Sequence, residues 1–335
     1  MFGGVRLLPA IVSSFLGFVI FTTASFAQTS INDIHVVPRE RSVTEAPLGA
    51  PHLPSGLGLI RSNVELVTVP VTITDAMNRP VTGLERDNFQ LFENKRPQEI
   101  KNFSSEDTPV SIGIIMDVSG SMQDKLDRTR EAVRQFCDAS NPQDEFFMIT
   151  FSDTPRLATD FTNRPEEIES ALLTAQSRGR TSLLDAIYMG IRKMKDARYP
   201  RRALLIMSDG GDNHSRYTDH DVKNAVREAD ILIYAVGTYD RYVSTPEELL
   251  GPELLEDVAG VTGGQAYTLT NLAELPRVTR AIGSRLRHQY MLTYHPQTRS
   301  RDGKWHKINV KLLLPKKWSA FLHINARMGY YASEE

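Results

Sequence analysis

Four short apolar runs without alternation, Ser111–Met116, Phe146–Phe151, Ala203–Met207 and Ile231–Val236, constrain this chain more than any other feature. A strand with one wet face alternates apolar and polar residues, whereas a strand buried on both faces does not. Strands of the second kind belong to parallel sheets covered on both sides. Helical periods fall between the runs. Leu183, Ile187, Ile191 and Met194 share one helical face, as do Ile168, Leu172 and Ala175, so βαβ crossovers are the economical connections. The expected fold class is α/β, a doubly wound, mostly parallel, Rossmann-like sheet over residues 107–287. Its last helix is expected over Ala273–Arg287, running directly into a strand near Tyr290.

On either side of this block the period changes to two. Val67, Val69, Val71 and Ile73 alternate with Thr68, Pro70, Thr72 and Thr74, the pattern of a half-buried strand. Pro70 has no N–H for a ladder, which predicts an edge position. A turn around Asn78, Arg79 and Pro80 leads to Phe89, Leu91 and Glu93, and Asn94–Lys95 turns the chain toward Ile100 and Phe103. After the block, Ile308, Val310, Leu312 and Leu314 alternate with Lys307, Asn309, Lys311 and Leu313, and Leu322, Ile324 and Ala326 repeat the pattern. Segments 59–106 and 288–332 are each short for a core of their own. They are expected to pair into one small β-rich module in which the α/β domain is inserted.

The N-terminus differs from the rest. Arg6 is the only charged residue among residues 1–27, and Leu7–Ala27 is almost wholly apolar, with small residues at Ser25 and Ala27. This reads as an export signal cleaved after Ala27; the alternative is an uncleaved anchor, since the run reaches the roughly 20 residues that span a bilayer. Residues 28–58 are polar, with Pro38, Pro47, Pro51 and Pro54 scattered through them, as in a flexible tether. The expected location is outside the cytoplasm: periplasmic, cell-surface or secreted, with membrane contact only if the signal stays uncleaved. The formal charge of -2 over 335 residues gives no one-signed field, so nucleic acid is not an expected partner. Cys137 is the only cysteine. No intramolecular disulfide can form, and its place on one helical face with Met122, Leu126, Val133 and Phe136 predicts burial without chemistry.

The strand Ile112–Met116 ends in Asp117, Val118, Ser119, Gly120 and Ser121, a D-x-S-x-S loop followed by a helical period. Ligands of open parallel sheets bind beyond the carboxyl ends of the strands, which is where this loop lies. A hard cation such as Mg²⁺ takes oxygen ligands at about 2.0–2.1 Å in an octahedron and retains water, and hydroxyls and carboxylates are suitable donors. Alone the motif is weak. Two further loops accompany it: Gly179, Arg180, Thr181, Ser182, Leu183, Leu184 and Asp185 open a helix, and Leu205–Met207 runs into Ser208, Asp209 and Gly210 at a strand end.

D-x-S-x-S, a later threonine in a T-x-L-x-D-like context and S-D-G after an apolar strand together resemble the von Willebrand factor type A family. The resemblance implies a metal-ion-dependent adhesion site in which Ser119, Ser121 and Thr181 coordinate Mg²⁺ (or Mn²⁺ or Ca²⁺) through hydroxyls. Asp117 and Asp209 would act mostly through bound waters. A shell with little direct negative charge leaves the ion open to a partner's Asp or Glu, so the implied partner is a protein offering a carboxylate, and the implied role is recognition rather than catalysis. Segments Val64–Phe103 and Arg287–Tyr294 and the ending Arg327–Tyr331 also resemble an exported bacterial subfamily, the likeness covering Asn63–Ala332. Arg180 stands where many relatives carry a small residue, which puts a cation beside the site: a candidate partner contact, or a side chain that points into water.

Each of these residues also has a purely structural reading. Asp117, Ser119, Ser121 and Thr181 are good helix caps, Asp209 can shape a turn with Gly210, and Asp185 is expected to satisfy backbone donors in its own first turn. Asp212, Asn213 and His214 read as a solvated turn. The rival function is a serine-type hydrolase, but there is no G-x-S-x-G elbow, no H-E-x-x-H pair and no Asp-x-Asp that would suggest aspartyl phosphate formation, nor any glycine-rich nucleotide motif. The chain is expected not to be an enzyme. A scaffold for an envelope complex is the remaining alternative to an adhesion module.

Overall fold

The computed structural model describes residues 66–239, 246–296, 302–315, 317 and 321–332. The export-signal and tether readings therefore lie outside the described residues. Strands β1 (Val67–Thr74), β2 (Phe89–Glu93), β3 (Arg96–Gln98) and β4 (Ile100–Ser104) come first. Then follow β5 (Ser111–Asp117), α1 (Leu126–Asp138), β6 (Glu145–Phe151), β7 (Pro155–Thr162), α2 (Pro165–Thr174) and α3 (Leu183–Lys193). The block continues with β8 (Arg202–Ser208), α4 (Asp219–Glu228), β9 (Leu232–Thr238), α5 (Pro246–Thr262), β10 (Gln265–Leu269) and α6 (Leu275–Arg287). Last come β11 (Tyr290–Tyr294), β12 (Trp305–Leu312), β13 (His323–Ala326) and β14 (Gly329–Tyr331).

The central sheet has the order β10-β9-β8-β5-β6-β7 and is parallel except for β7, which runs antiparallel at one edge. Successive strand residues point to opposite faces, so Ile112, Ile114 and Met116 pack in one layer and Ile115 in the other. The first layer is closed by α1, α2 and α6 through Phe136, Ile168 and Ile282, the second by α3, α4 and α5 through Ile187, Val222 and Val258. Each such side chain contributes about 1.5–3 kcal/mol on burial, which is why the unalternating runs are stable only in this sandwich of helices. The expected doubly wound α/β class is the observed one. Cys137 is buried in the α1 layer, where burial pushes its thiol up to about 12.

The flanking strands form two four-stranded sheets, β13-β1-β11-β4 and β14-β12-β2-β3. Each sheet mixes strands from before and after the α/β block: Val69 lies opposite Leu292, and Leu91 opposite Val310. Their inward residues, among them Val71, Ile73, Leu91, Tyr290, Leu292 and Val310, share one core. Asn78, Asn94 and Lys95 take positive φ of 62°, 48° and 69°, the left-handed turns that fold β1 and β2 back.

Two readings need correction. β1 is not an edge strand, since β11 and β13 flank it. Pro70 is tolerated because the β13 ladder begins only at Val71, leaving the strand paired on one side at Pro70. The last helix begins at Leu275, not Ala273, because Asn271 caps a separate 3₁₀ turn at Leu272–Glu274 and a proline occupies the first turn of α6. Near the other end of α6, the buried Arg285 donates to Asn78 Oδ1 at 3.1 Å and lies over the Tyr267 ring at 5.6 Å. That contact ties the α/β domain to the first turn of the strand module.

Candidate metal centre at the rim of the parallel sheet

The order of the central sheet places β5 beside β8; the connection after β5 runs to β6 on one side and that after β8 to β9 on the other, the arrangement that opens a crevice at the carboxyl ends of the two strands. β5 ends in Asp117, which is fully buried. Its Oδ1 accepts the Ser119 N–H at 2.8 Å, and its Oδ2 accepts the Ser208 hydroxyl from the end of β8 at 2.5 Å. The Ser119 and Ser121 hydroxyl oxygens lie 3.0 Å apart. The second loop is sewn to the first by the Gly120 N–H, which donates to the Gly179 carbonyl at 3.0 Å, and by the Arg178 N–H, which donates to Val118 at 2.9 Å. The third loop meets the second where Thr181 N–H donates to Asn213 Oδ1 at 3.0 Å and the Thr181 carbonyl accepts from Asn213 and His214 at 3.1 and 3.0 Å.

Asp117, Ser119, Thr181 and Asp209 are buried and Ser121 is exposed. The D-x-S-x-S loop and the β8 end are in direct side-chain contact; Thr181 reaches them through backbone bonds and Asn213. Two glycines occupy tight positions in the rim loops. Gly210 has φ +77°, and a Cβ there would sit 2.7 Å from Gly251 Cα. Gly179 has φ +82°, and a Cβ there would sit 2.6 Å from an Asp153 carboxylate oxygen. Side chains at such positions are strained whatever their chemistry.

Burial first, and the nearby Asp209 charge second, push the Asp117 carboxyl well above the usual carboxylate range, to about 7, against the pull of its bonds to Ser119 and Ser208. Asp209 Oδ2 is buried with no hydrogen-bond partner. Lys125 Nζ stands 3.8 Å from it, an ion-pair distance but too long for a hydrogen bond. Two buried acids thus face one nearby ammonium, and the hydroxyls of Ser119, Ser121 and Thr181 add neutral oxygen. Such a set of carboxylate and hydroxyl oxygens suits a hard divalent cation. Among the described residues no group of three or more His, Cys, Asp or Glu side chains forms a softer or all-acid site.

Sequence reasoning passed over several residues that build this rim. Ser208 is the last residue of a buried strand, and its position beside Asp209 was the available signal. Lys125, the residue before α1, belongs to none of the three motif loops. Asp153 Oδ1 accepts the Arg180 N–H at 2.9 Å and so shapes the second loop. Asn213 and His214 are exposed, as a solvated turn requires, but the turn also holds the second loop: Asp212 Oδ2 accepts the Leu184 N–H at 3.2 Å at the start of α3, while Asn213 holds Thr181. Asp185 does bind backbone donors, though not those of its own turn; its Oδ1 accepts from Arg216 and Tyr217 at 2.8 and 3.0 Å. Arg180 is exposed, with Nη1 3.4 Å from His214 Nδ1.

Fold and rim together define an α/β binding domain with its site at the carboxyl ends of a parallel sheet. The model of the von Willebrand factor type A domain family, whose members serve generally as protein-interaction modules, matches residues 112–211. A UPF0353 protein of Mycolicibacterium gilvum is 26% identical over 191 residues, 49% of this chain and 57% of that protein. The inter-alpha-trypsin inhibitor heavy chain H4 of Homo sapiens is 26% identical over 134 residues, 36% of this chain and 14% of that one. The chain thus matches little more than half of one relative's length and a small part of the other's. Among solved structures, a von Willebrand factor type A protein from Catenulispora acidiphila aligns over 80% of this chain and 75% of that chain, with 12% identity and a TM-score of 0.47.

Proposed function

We propose that this chain is a divalent-metal-dependent protein-binding module. Asp117, Ser119, Ser121, Thr181 and Asp209 would hold Mg²⁺, Mn²⁺ or Ca²⁺, and a partner's Asp or Glu carboxylate would complete the shell. The observation that supports it is the pair of buried acids at the rim, Asp117 and Asp209, with an Asp209 oxygen that has no hydrogen bond and lies 3.8 Å from Lys125, bordered by the paired Ser119 and Ser121 hydroxyls. When bound, the ion supplies a Lewis-acidic point open to an incoming carboxylate. The chain's own part is to fix the donors. Ser208 orients Asp117, Asn213 holds the backbone of Thr181, and Gly210 lets the β8 end turn against Gly251 of α5. Exposed Arg180, beside His214, is placed to meet further acids on the partner. Ser119 meets a serine hydroxyl rather than an imidazole, so the hydrolase reading gains no support.

The domain organisation that goes with this proposal is residues 107–287 inserted between segments 59–106 and 288–332, which pair through the β1–β11 and β2–β12 ladders. Export is the proposed location, supported by the apolar run Leu7–Ala27 with Arg6 as its only flanking charge. Thermal unfolding with Mg²⁺ or Mn²⁺ titrated into wild type and Asp117→Ala tests the metal. Binding raises stability by RT ln(1 + [L]/Kd), about 2.7 kcal/mol at ~100-fold excess over Kd, in wild type only. A wild-type midpoint that ignores both metals at millimolar concentration sinks the proposal.

A further inference from the structure

The opposite pole of the parallel sheet holds a cavity of about 370 Å³, within the range of about 300–1,000 Å³ typical of small-molecule sites. It is bounded by the amino-terminal ends of β8 and β9, by the ends of α4, α5 and α6, and, across from them, by β1, β11, β12 and β14 of the strand module. Its apolar wall includes Val226, Leu232, Leu286, Met291 and Trp305. Four arginines, Arg201, Arg202, Arg227 and Arg327, line it against a single acid, Asp230. Asp230 is already taken by Arg327 at 2.7 Å, which leaves three guanidinium groups over.

The remaining donors are short of acceptors. Arg201 is buried, and its terminal nitrogens donate only to neutral oxygens: the Thr108 carbonyl at 2.6 Å, the Thr108 hydroxyl at 3.1 Å, Gln289 Oε1 at 3.3 Å and the Leu286 carbonyl. Its Nε has no partner. Gln289, 5% exposed, has an Nε2 without a partner, and Arg202 has a buried Nε likewise unsatisfied. The Leu286 bond accounts structurally for Arg201, which closes the end of α6. Nothing comparable accounts for Arg202 and Gln289. Buried N–H groups are rarely left unpaired, and here every orphan is a donor.

We propose that this cavity binds a small organic acid, an apolar body carrying one anionic headgroup that accepts from Arg201, Arg202 and Gln289. Because both the α/β domain and the strand module line the space, the ligand bridges them. β8 is seven residues long, so the two poles lie about 20 Å apart along the strand, and the acid site works without the metal centre.

Isothermal titration of the full chain with decanoate, 1-decanol and inorganic phosphate as probes decides it. Decanoate is expected to bind at least tenfold more tightly than either other probe. Arg202→Gln should weaken it by roughly tenfold or more, the loss typical of a charge-assisted bond. Arg202→Lys should restore most of the affinity, and Asp117→Ala should leave it unchanged, which separates this site from the metal centre. Gln289→Leu serves as a second reading if Arg202→Gln lowers the unfolding midpoint. The proposal is overturned if decanoate does not bind, if 1-decanol or phosphate equals it, or if both Arg202→Gln and Gln289→Leu bind it as wild type does.

Discussion

Two buried carboxylates in this chain have opposite surroundings. Glu93, at the end of β2, meets an imidazole whose pKa this contact raises: its Oε1 lies 2.7 Å from His306 Nδ1, while His306 Nε2 faces Asp302 Oδ1 at 3.2 Å. Asp117, at the end of β5, meets a second acid, Asp209, and the nearest ammonium stands 3.8 Å from Asp209. The first cluster carries its counter-charge within the fold and staples β2 to β12. In the second both acids are buried, and Asp117 itself touches only an N–H and a hydroxyl donor. Burial alone therefore does not separate a structural acid from a functional one; direct contact with a counter-charge does.

The largest expected effect comes from deleting one acid of each cluster in chelator-treated protein. Removing one partner of a buried pair typically costs about 3–5 kcal/mol. Glu93→Ala is expected near the lower end, because Asp302 remains on the other imidazole nitrogen. Asp117→Asn relieves repulsion with Asp209 and should cost less than ~1 kcal/mol while abolishing the stabilisation by Mg²⁺. Urea unfolding of both variants reads the difference. Equal losses would make the rim cluster a structural staple like the other.

Ser208 sharpens the same contrast at intermediate size. Its hydroxyl donates to Asp117 Oδ2 at 2.5 Å and accepts the Gly210 N–H at 3.0 Å. A hydrogen bond to a charged group contributes about 1.5–3 kcal/mol, so Ser208→Ala is expected to lose on that order without metal. It should also weaken the Mg²⁺ response, since Asp117 is then held by one bond fewer. A Ser208→Ala protein with wild-type unfolding and wild-type metal response would remove Ser208 from the site.

The difference between the clusters also explains what could be read from the amino acids alone. The four buried strands were legible because burial on both faces leaves an unbroken apolar run. β7 and β10 were not, since both lie at sheet edges and β7 in particular is largely exposed. Pro70 misled because the rule it invokes concerns hydrogen bonding residue by residue, and β13 covers only part of β1. At the rim, Asp117, Ser119 and Ser121 sit within one loop, so a local motif finds them. Ser208 acts on Asp117 from 91 residues away, and Asn213 holds Thr181 from 32 residues away. Partnerships of that span leave no local pattern, and the same holds for His306 and Glu93.

The smallest effect is a pH dependence. Burial pulls His306 down, but its hydrogen bonds to Glu93 and Asp302 and their charges outweigh this and hold it above its ordinary value. A histidine raised in the folded state contributes stability that is fully present below its unfolded value of about 6.5 and is lost as pH rises through the folded value. Wild type should therefore lose stability as pH rises above about 6.5. Asp117 is also raised, and its penalty likewise grows with pH in metal-free protein. The slope of wild type alone thus mixes the two clusters. The difference between wild type and His306→Gln isolates the strand module, and the difference between wild type and Asp117→Asn isolates the rim. Unfolding midpoints of all three proteins across that window, with chelator, should show His306→Gln flatter than wild type. An unchanged slope would mean that Glu93 takes no counter-charge from His306, and the contrast between the two buried acids would fail at its structural end.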